Sequence, residues 1–252
     1  MKLFVHKLEK LYGLLFILVI WQGGSTLGIL DPLFLPSPIK VLQTLFSVLL
    51  NGAILPDLGR TIYRICIGYL LGVSFGVPIG LLLGGFDRLR NWLELPIDFF
   101  RSIPVTSLFP LFLFFFGIGD SAKFAIVAYA VGLITLFNTM YGVINSSKTR
   151  LLVSRVFGAN KLQQFVGIML PEALPQIMVG LRLALSSALI YVIVTEMFLG
   201  TTRGLGYRIY NANLTYDIPD MYGCIFLAGI LGYIINRSLV FFESRTLHWA
   251  GK

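Results

Sequence analysis

The sequence predicts an all-α, polytopic membrane protein folded as a single domain over residues 1–252, and three observations predict it. Of its 252 residues 56% are apolar and only 13% charged, about half the charge of a soluble domain, and its mean hydropathy is +0.83. Six apolar stretches, at about 11–30, 61–86, 96–117, 122–145, 173–199 and 219–242, reach the ~20 residues a helix needs to cross a ~30 Å hydrocarbon core. One polar, basic break, residues 148–171, interrupts an otherwise membrane-hydrophobic chain.

Lys2, Lys7 and Lys10 precede the apolar run Leu11 to Trp21. The hydrophobicity continues through Gly28 to Leu30 without a convincing small-x-small cleavage site, so the segment reads as a retained first span rather than a signal peptide. Asp31 to Pro38 is proline-rich, and Ile39 to Leu50 has helical apolar spacing but is too short to span, which predicts an interfacial helix. In the second span Gly68, Gly72, Gly76, Gly80 and Gly84 recur at four-residue steps. That stripe lets backbones approach closely, against another helix of the same subunit or across a dimer interface. Pro78 predicts a kink in this helix, and Pro104 and Pro110 predict distortion of the third span.

In the polar break, Gly158 ends a short helix in the left-handed conformation. Asn160, with Gln163 three residues on, opens another with a capping box. Two short helices joined at a glycine project as a knob.

An even number of spans puts both termini on one side. With the N-terminus inside, fourteen of the 20 Lys and Arg residues fall on inner segments, and six, Lys40, Arg60, Arg64, Lys123, Arg203 and Arg208, fall outside. By the positive-inside rule the termini and the knob are cytoplasmic. The net charge of +8 is explained by this asymmetry, since no basic stripe or zinc spacing points to nucleic acid. Cys66 and Cys224, both in apolar stretches, read as packing residues rather than a disulfide or a metal site.

No catalytic constellation is present. His6 and His248 stand near opposite termini, and the sequence has no Ser-His-Asp, HExxH or GxxxxGK[ST] pattern. Powered transport must therefore draw its energy through another subunit. Glu196 is the acid nearest to sitting inside a span, where a carboxylate costs about 2.5–3.5 kcal/mol. It is expected to act as a gate, to pair with Arg203 or Arg208 near the outer mouth, or to reach the interface from a helix end. Thr106, Ser107, Asn138, Thr139, Ser186, Ser187, Tyr191 and Thr195 offer neutral hydrogen-bonding groups that line a pathway or bond their own helices. Arg182, just inside the fifth span, is expected to snorkel to the headgroups.

Leu35-Pro-Ser-Pro38, Asp57-Leu-Gly-Arg-Thr-Ile-Tyr-Arg64, the glycine ladder, Arg101-Ser-Ile-Pro104 and Phe116-Gly-Ile-Gly119 follow one another in order. Gly158-Ala159, Leu170-Pro-Glu-Ala-Leu-Pro175, Gly180-Leu-Arg182, Glu196, Gly204-Leu-Gly206 and Glu243-Ser-Arg245 complete the series. Over nearly the whole chain this series resembles the membrane permeases of nitrate/sulfonate/taurine/bicarbonate-type ABC importers, and the knob resembles their cytoplasmic EAA loop. One departure is that Leu152 stands where the family has its leading glutamate.

The resemblance implies a homodimeric type I importer permease in the bacterial plasma membrane. ATP and Mg would be bound by a separate cytoplasmic ATPase, and an extracytoplasmic binding protein would deliver solute. It also implies that Arg155, Val156, Phe157, Gly158, Ala159, Asn160 and Lys161 meet the ATPase, with Arg155 or Lys161 making the polar contact. Related permeases carry small anions or neutral vitamin precursors such as pyrimidines or riboflavin, and the outer cations Lys40, Arg60, Arg64, Arg203 and Arg208 favour an anion. The rival reading, a self-sufficient secondary transporter or channel, requires intramembrane relays or an inverted repeat. The sequence offers only Glu196 and no clear repeat.

Overall fold

The computed structural model describes residues 2–28, 31 and 33–246, and every regular element among them is helical. The helices are α1 (Lys2–Thr26), α2 (Pro38–Leu50), α3 (Leu55–Gly85), α4 (Asp87–Ser102), α5 (Phe109–Phe116), α6 (Asp120–Ile144), α7 (Lys148–Val156), α8 (Lys161–Gln164), α9 (Leu170–Phe198), α10 (Leu205–Leu214) and α11 (Ile218–Thr246). A 3₁₀ turn, Val105–Leu108, precedes α5, and a π turn, Phe165–Met169, joins α8 to α9.

Helices α3, α6 and α9 form the core, with Ile65, Val127, Val131, Ala184, Ala188 and Val192 buried where they meet. The glycine stripe makes the closest contact, and it lies within the subunit. All five glycines are buried in α3. A β-carbon built on Gly68 would fall 2.6 Å from Val127 Cγ1, on Gly72 2.5 Å from Val131 Cγ1, and on Gly84 2.6 Å from Val143 Cβ. At Gly76 it would run into Thr135 and the Gly132 backbone, and at Gly80 it would fall 2.7 Å from Thr139 Cβ. The α6 residues themselves recur every four positions. Each ridge on α6 therefore fills a groove that the absent side chains of α3 leave open. Pro78 lies inside α3, whose helix continues through it to Gly85.

The expected third span is not one helix. Amphipathic α4, which has no buried residues, and the Val105–Phe116 segment meet at 88° and form a broken span or a re-entrant loop. The cause is local. Pro104 has no N–H and pushes Ile103 into extended backbone at φ −76°, ψ 123°, and Pro110 can sit only in the first turn of the next helix.

Among the described residues four helical runs are long and apolar enough to cross a bilayer, 55–85, 120–144, 161–198 and 218–241, or five if the bent pair is counted as one span, against the six expected. The first expected span, 11–30, begins in α1, which ends at Thr26. Its last two residues, 29 and 30, lie outside the described residues. Helix α2 is the expected short helix, capped by the Ser37 side chain accepting from Lys40 N at 3.3 Å, and its buried Val41 and Leu45 face inward. Both cysteines are free. Cys224 packs in the cluster of Leu45, Ile54, Leu205 and Ile209, whereas Cys66 is exposed and so does not pack as expected.

Candidate functional site

Two polar assemblies occupy opposite ends of the bundle. At one end is the knob. Helix α7 starts on Ser147, whose hydroxyl accepts from Arg150 N, and it ends in a Schellman arrangement. Gly158 takes φ +80°, its N–H donates to Arg155 O at 3.0 Å, and Ala159 N–H reaches back to Ser154 O at 2.9 Å. Asn160 and Gln163 then form a reciprocal capping box, both bonds 2.8 Å, a motif that typically contributes ~1 kcal/mol. The buried Gln164 amide donates to Ala159 O at 2.9 Å, closing the turn from below.

This fixed frame presents Val156 and Phe157 84% and 85% exposed, with Leu152 and Leu162 also outward. The second short helix is not separate. Helix α8 passes through the π turn into α9, giving one 38-residue run, Lys161–Phe198. Pro171 has no N–H to offer the preceding turn, and the backbone widens there, with Leu170 N–H bonding Phe165 O.

At the other end is a charge hub. Glu196, on the last turns of α9, is 1% exposed and Arg64, on α3, is 3% exposed. Arg64 Nη1 donates to Glu196 Oε1 at 2.7 Å and to Arg203 O at 2.7 Å, Nε to Asp120 Oδ1 at 2.8 Å, and Nη2 to Thr201 Oγ1 at 3.0 Å. Thr61 donates to the Glu196 carboxylate and accepts from Leu205 N at 2.9 Å, while Gly206 N–H donates to Glu196 Oε2 at 2.9 Å.

The Gly204-Leu-Gly206 turn is glycine-rich for a visible reason. Gly204 has φ +135°, and a β-carbon there would sit 2.5 Å from both Glu196 carboxylate oxygens. The expected partners of Glu196 are therefore corrected. Arg203 joins the hub through its backbone, bonded to Arg64 and Thr201, and Arg208 instead pairs with Asp220 at 2.8 Å. The interior holds its acid only with a base beside it, and Arg64 is the nearer base.

Arg64 and Lys123, counted on the outer side from the sequence, are both buried. Lys123 Nζ donates to Gly119 O at 3.0 Å and Leu199 O at 3.1 Å. A cleft of about 630 Å³ opens over this hub between Arg60, Asp120, Thr201, Thr202 and Arg203. Sequence reasoning missed Arg64, Asp120 and Thr61 as members of the hub. The available signal was an acid and a base each set inside an apolar run, which demand one another in hydrocarbon.

The neutral pathway candidates scatter. Thr195 is buried and bonds Val192 O of its own helix, and Ser107 bonds Pro104 O. Thr106 is exposed, while Ser187 and Tyr191 are half-buried. Asn138 bonds Ile134 O and accepts from Gln176, a partner the sequence did not suggest. Arg182 does not reach for headgroups alone, since its Nη1 donates to Glu243 on α11 at 3.3 Å. Among the described residues no group of three or more His, Cys, Asp or Glu side chains is placed to hold a metal.

A bundle of apolar helices with broken and glycine-stitched spans, a projecting knob at one end and a charge hub at the other defines a helical transport permease. The family model described as binding-protein-dependent transport system inner membrane component matches residues 76–246, and the chain belongs to that family. It is 34% identical over 85% of its length to a probable ABC transporter permease of Brucella melitensis, covering 87% of that protein. It is 29% identical over 92% of its length to the putative aliphatic sulfonates transport permease SsuC of Bacillus subtilis, covering 84% of it.

A chain of the MetNI methionine ABC transporter, solved in inward-facing form, superposes with a TM-score of 0.64. It is 21% identical over 75% of this chain and 94% of that one, a likeness of fold. The protein is thus a membrane permease subunit of an ABC importer.

Proposed function

We propose that two copies of this chain form the pathway by which a small organic anion of the sulfonate class enters a bacterial cell. A cytoplasmic ATPase binds ATP and Mg and docks on residues 155–161, and an extracytoplasmic binding protein delivers the solute. The observation that carries the reading is the knob. Val156 and Phe157 are two large apolar side chains held almost fully exposed by a Schellman turn and a capping box, and exposed apolar surface rimmed by polar groups marks a protein contact. The anion reading is supported by the excess of cations around the outer cleft and by the likeness to a putative aliphatic sulfonates transport permease.

ATP-driven closure of the ATPase pair draws the knobs together, and the helix bundles follow as a two-state change of access. Gly158→Val tests this. A β-branched residue at φ +80° is strongly disfavoured, so the knob is misdirected while membrane insertion and dimer formation persist. Transport and solute-stimulated ATP hydrolysis in reconstituted complexes should both fall by more than tenfold, ~1.4 kcal/mol or more of lost coupling. Normal ATPase binding and normal stimulation would remove the knob from the mechanism.

Orientation is checked separately. In a background with Cys66 and Cys224 replaced by Ser, a cysteine at position 155 should label only from the cytoplasm and one at position 213 only from outside. The reverse pattern would invert the topology.

A further inference from the structure

We infer that Glu172 is a positioning residue that fastens the docking helix α7 to the fifth-span run Lys161–Phe198, so that the two move as one lever. The inference rests on the docking role given above to the knob. Glu172 stands in the first turn of α9. Its Oε2 accepts from Ser147 N–H at 2.6 Å, and its Oε1 lies 2.8 Å from Arg150 Nε as an ion pair. A carboxylate at that point serves two needs of α7 together. It satisfies a backbone donor at the helix start, and its charge opposes the positive end of the helix dipole.

The turn that follows α7 is held by the same run, through Gln164 Nε2 to Ala159 O. The two bonds bracket α7, one at Ser147 just before its first residue and the other at Ala159, just past its C-cap Phe157. The docking helix is therefore tied to the same run on both sides. Val143, Ala173 and Ile177 pack the end of α6 onto the same base, so the short 145–147 turn has little slack. A knob tied at one end only would absorb a push from the ATPase by swivelling. Tied at both, it passes displacement into α9, whose other end carries Glu196 and the outer hub.

The test uses the full chain with Cys66 and Cys224 replaced and nitroxide labels at 153 on α7 and 183 on α9, both exposed positions; labelled chains are diluted in excess unlabelled chains so that only the distance within one subunit is read, with the ATPase, before and after trapping with ATP and vanadate. The unmodified side chain should give one narrow distance that trapping does not change. Glu172→Ala should broaden it and let it shift on trapping. Amide exchange of residues 148–156 should rise about tenfold, the factor for losing ~1.4 kcal/mol of charge-assisted hydrogen bonding. Glu172→Gln, which keeps an acceptor for Ser147 N–H, should fall between, and all variants should retain the ATPase in pull-down.

A narrow, trapping-insensitive distance in Glu172→Ala overturns the inference. So does complete loss of ATPase capture with Glu172→Ala, which marks a folding role. Failure of the underlying docking role reads out separately, as retention of the ATPase by Phe157→Asp, a change that leaves the Glu172 attachment intact.

Discussion

Gly76→Leu is expected to leave almost no folded permease in the membrane. Any side chain at position 76 meets Thr135 and the backbone of Gly132 on α6, and a backbone cannot rotate aside as a side-chain end can. Overpacking an adaptable core costs about 1–3 kcal/mol. Here α3 would have to part from α6 along a stripe that also holds Gly72 against Val131 and Gly80 against Thr139, so the loss exceeds that range. Leu81→Ala on the same helix only removes volume from a partly buried position beside Val143 and Ile177 and should be milder. Size-exclusion profiles of fluorescently tagged variants from detergent extracts separate the two. A monodisperse peak of normal height for Gly76→Leu would refute the tight α3 and α6 contact.

Arg64→Ala is expected to be nearly as damaging, for an electrostatic reason. The variant leaves Glu196 buried with only Thr61 and the Gly206 amide as partners, and breaking a buried ion pair from one side costs about 3–5 kcal/mol. Arg64→Lys should not rescue it. The guanidinium serves Asp120, Glu196, Thr201 and the Arg203 carbonyl simultaneously with all three nitrogens, a spread that a single ammonium does not cover. Adding Glu196→Gln to Arg64→Ala should recover part of the loss, because the orphaned charge disappears. Thermal unfolding of the purified protein is the measurement, and a double variant less stable than Arg64→Ala alone would contradict the pairing.

The features legible in the sequence are those that local chemistry determines. The glycine step of four, the positive-φ glycine at 158 and the Asn160 capping box need only the chain's own neighbourhood, and each has the geometry that its residues dictate. The third span is less legible because composition alone reports hydrophobicity. Pro104 and Pro110 fall close enough together that the segment breaks into two helices at 88°, where a single distorted span is expected. Glu196 is recognisable as an acid that needs a partner. Choosing Arg64, 132 positions away, over nearby Arg203 and Arg208 requires knowing that α3 and α9 pack together, a long-range fact with no local signature. Glu172 is hidden for the same reason, because its role depends on Ser147 and Arg150 of another element.

Uptake of labelled taurine, as a representative sulfonate, into proteoliposomes is the most direct measurement of ATP-driven import by this permease. The vesicles contain this chain with its cognate ATPase, and the binding protein is added outside. Coupling through the knob predicts accumulation against a gradient that requires internal ATP and both partners and that is lost with Gly158→Val. Uptake by the chain alone, unchanged by removing the ATPase or ATP, would contradict it and identify a self-sufficient carrier or channel.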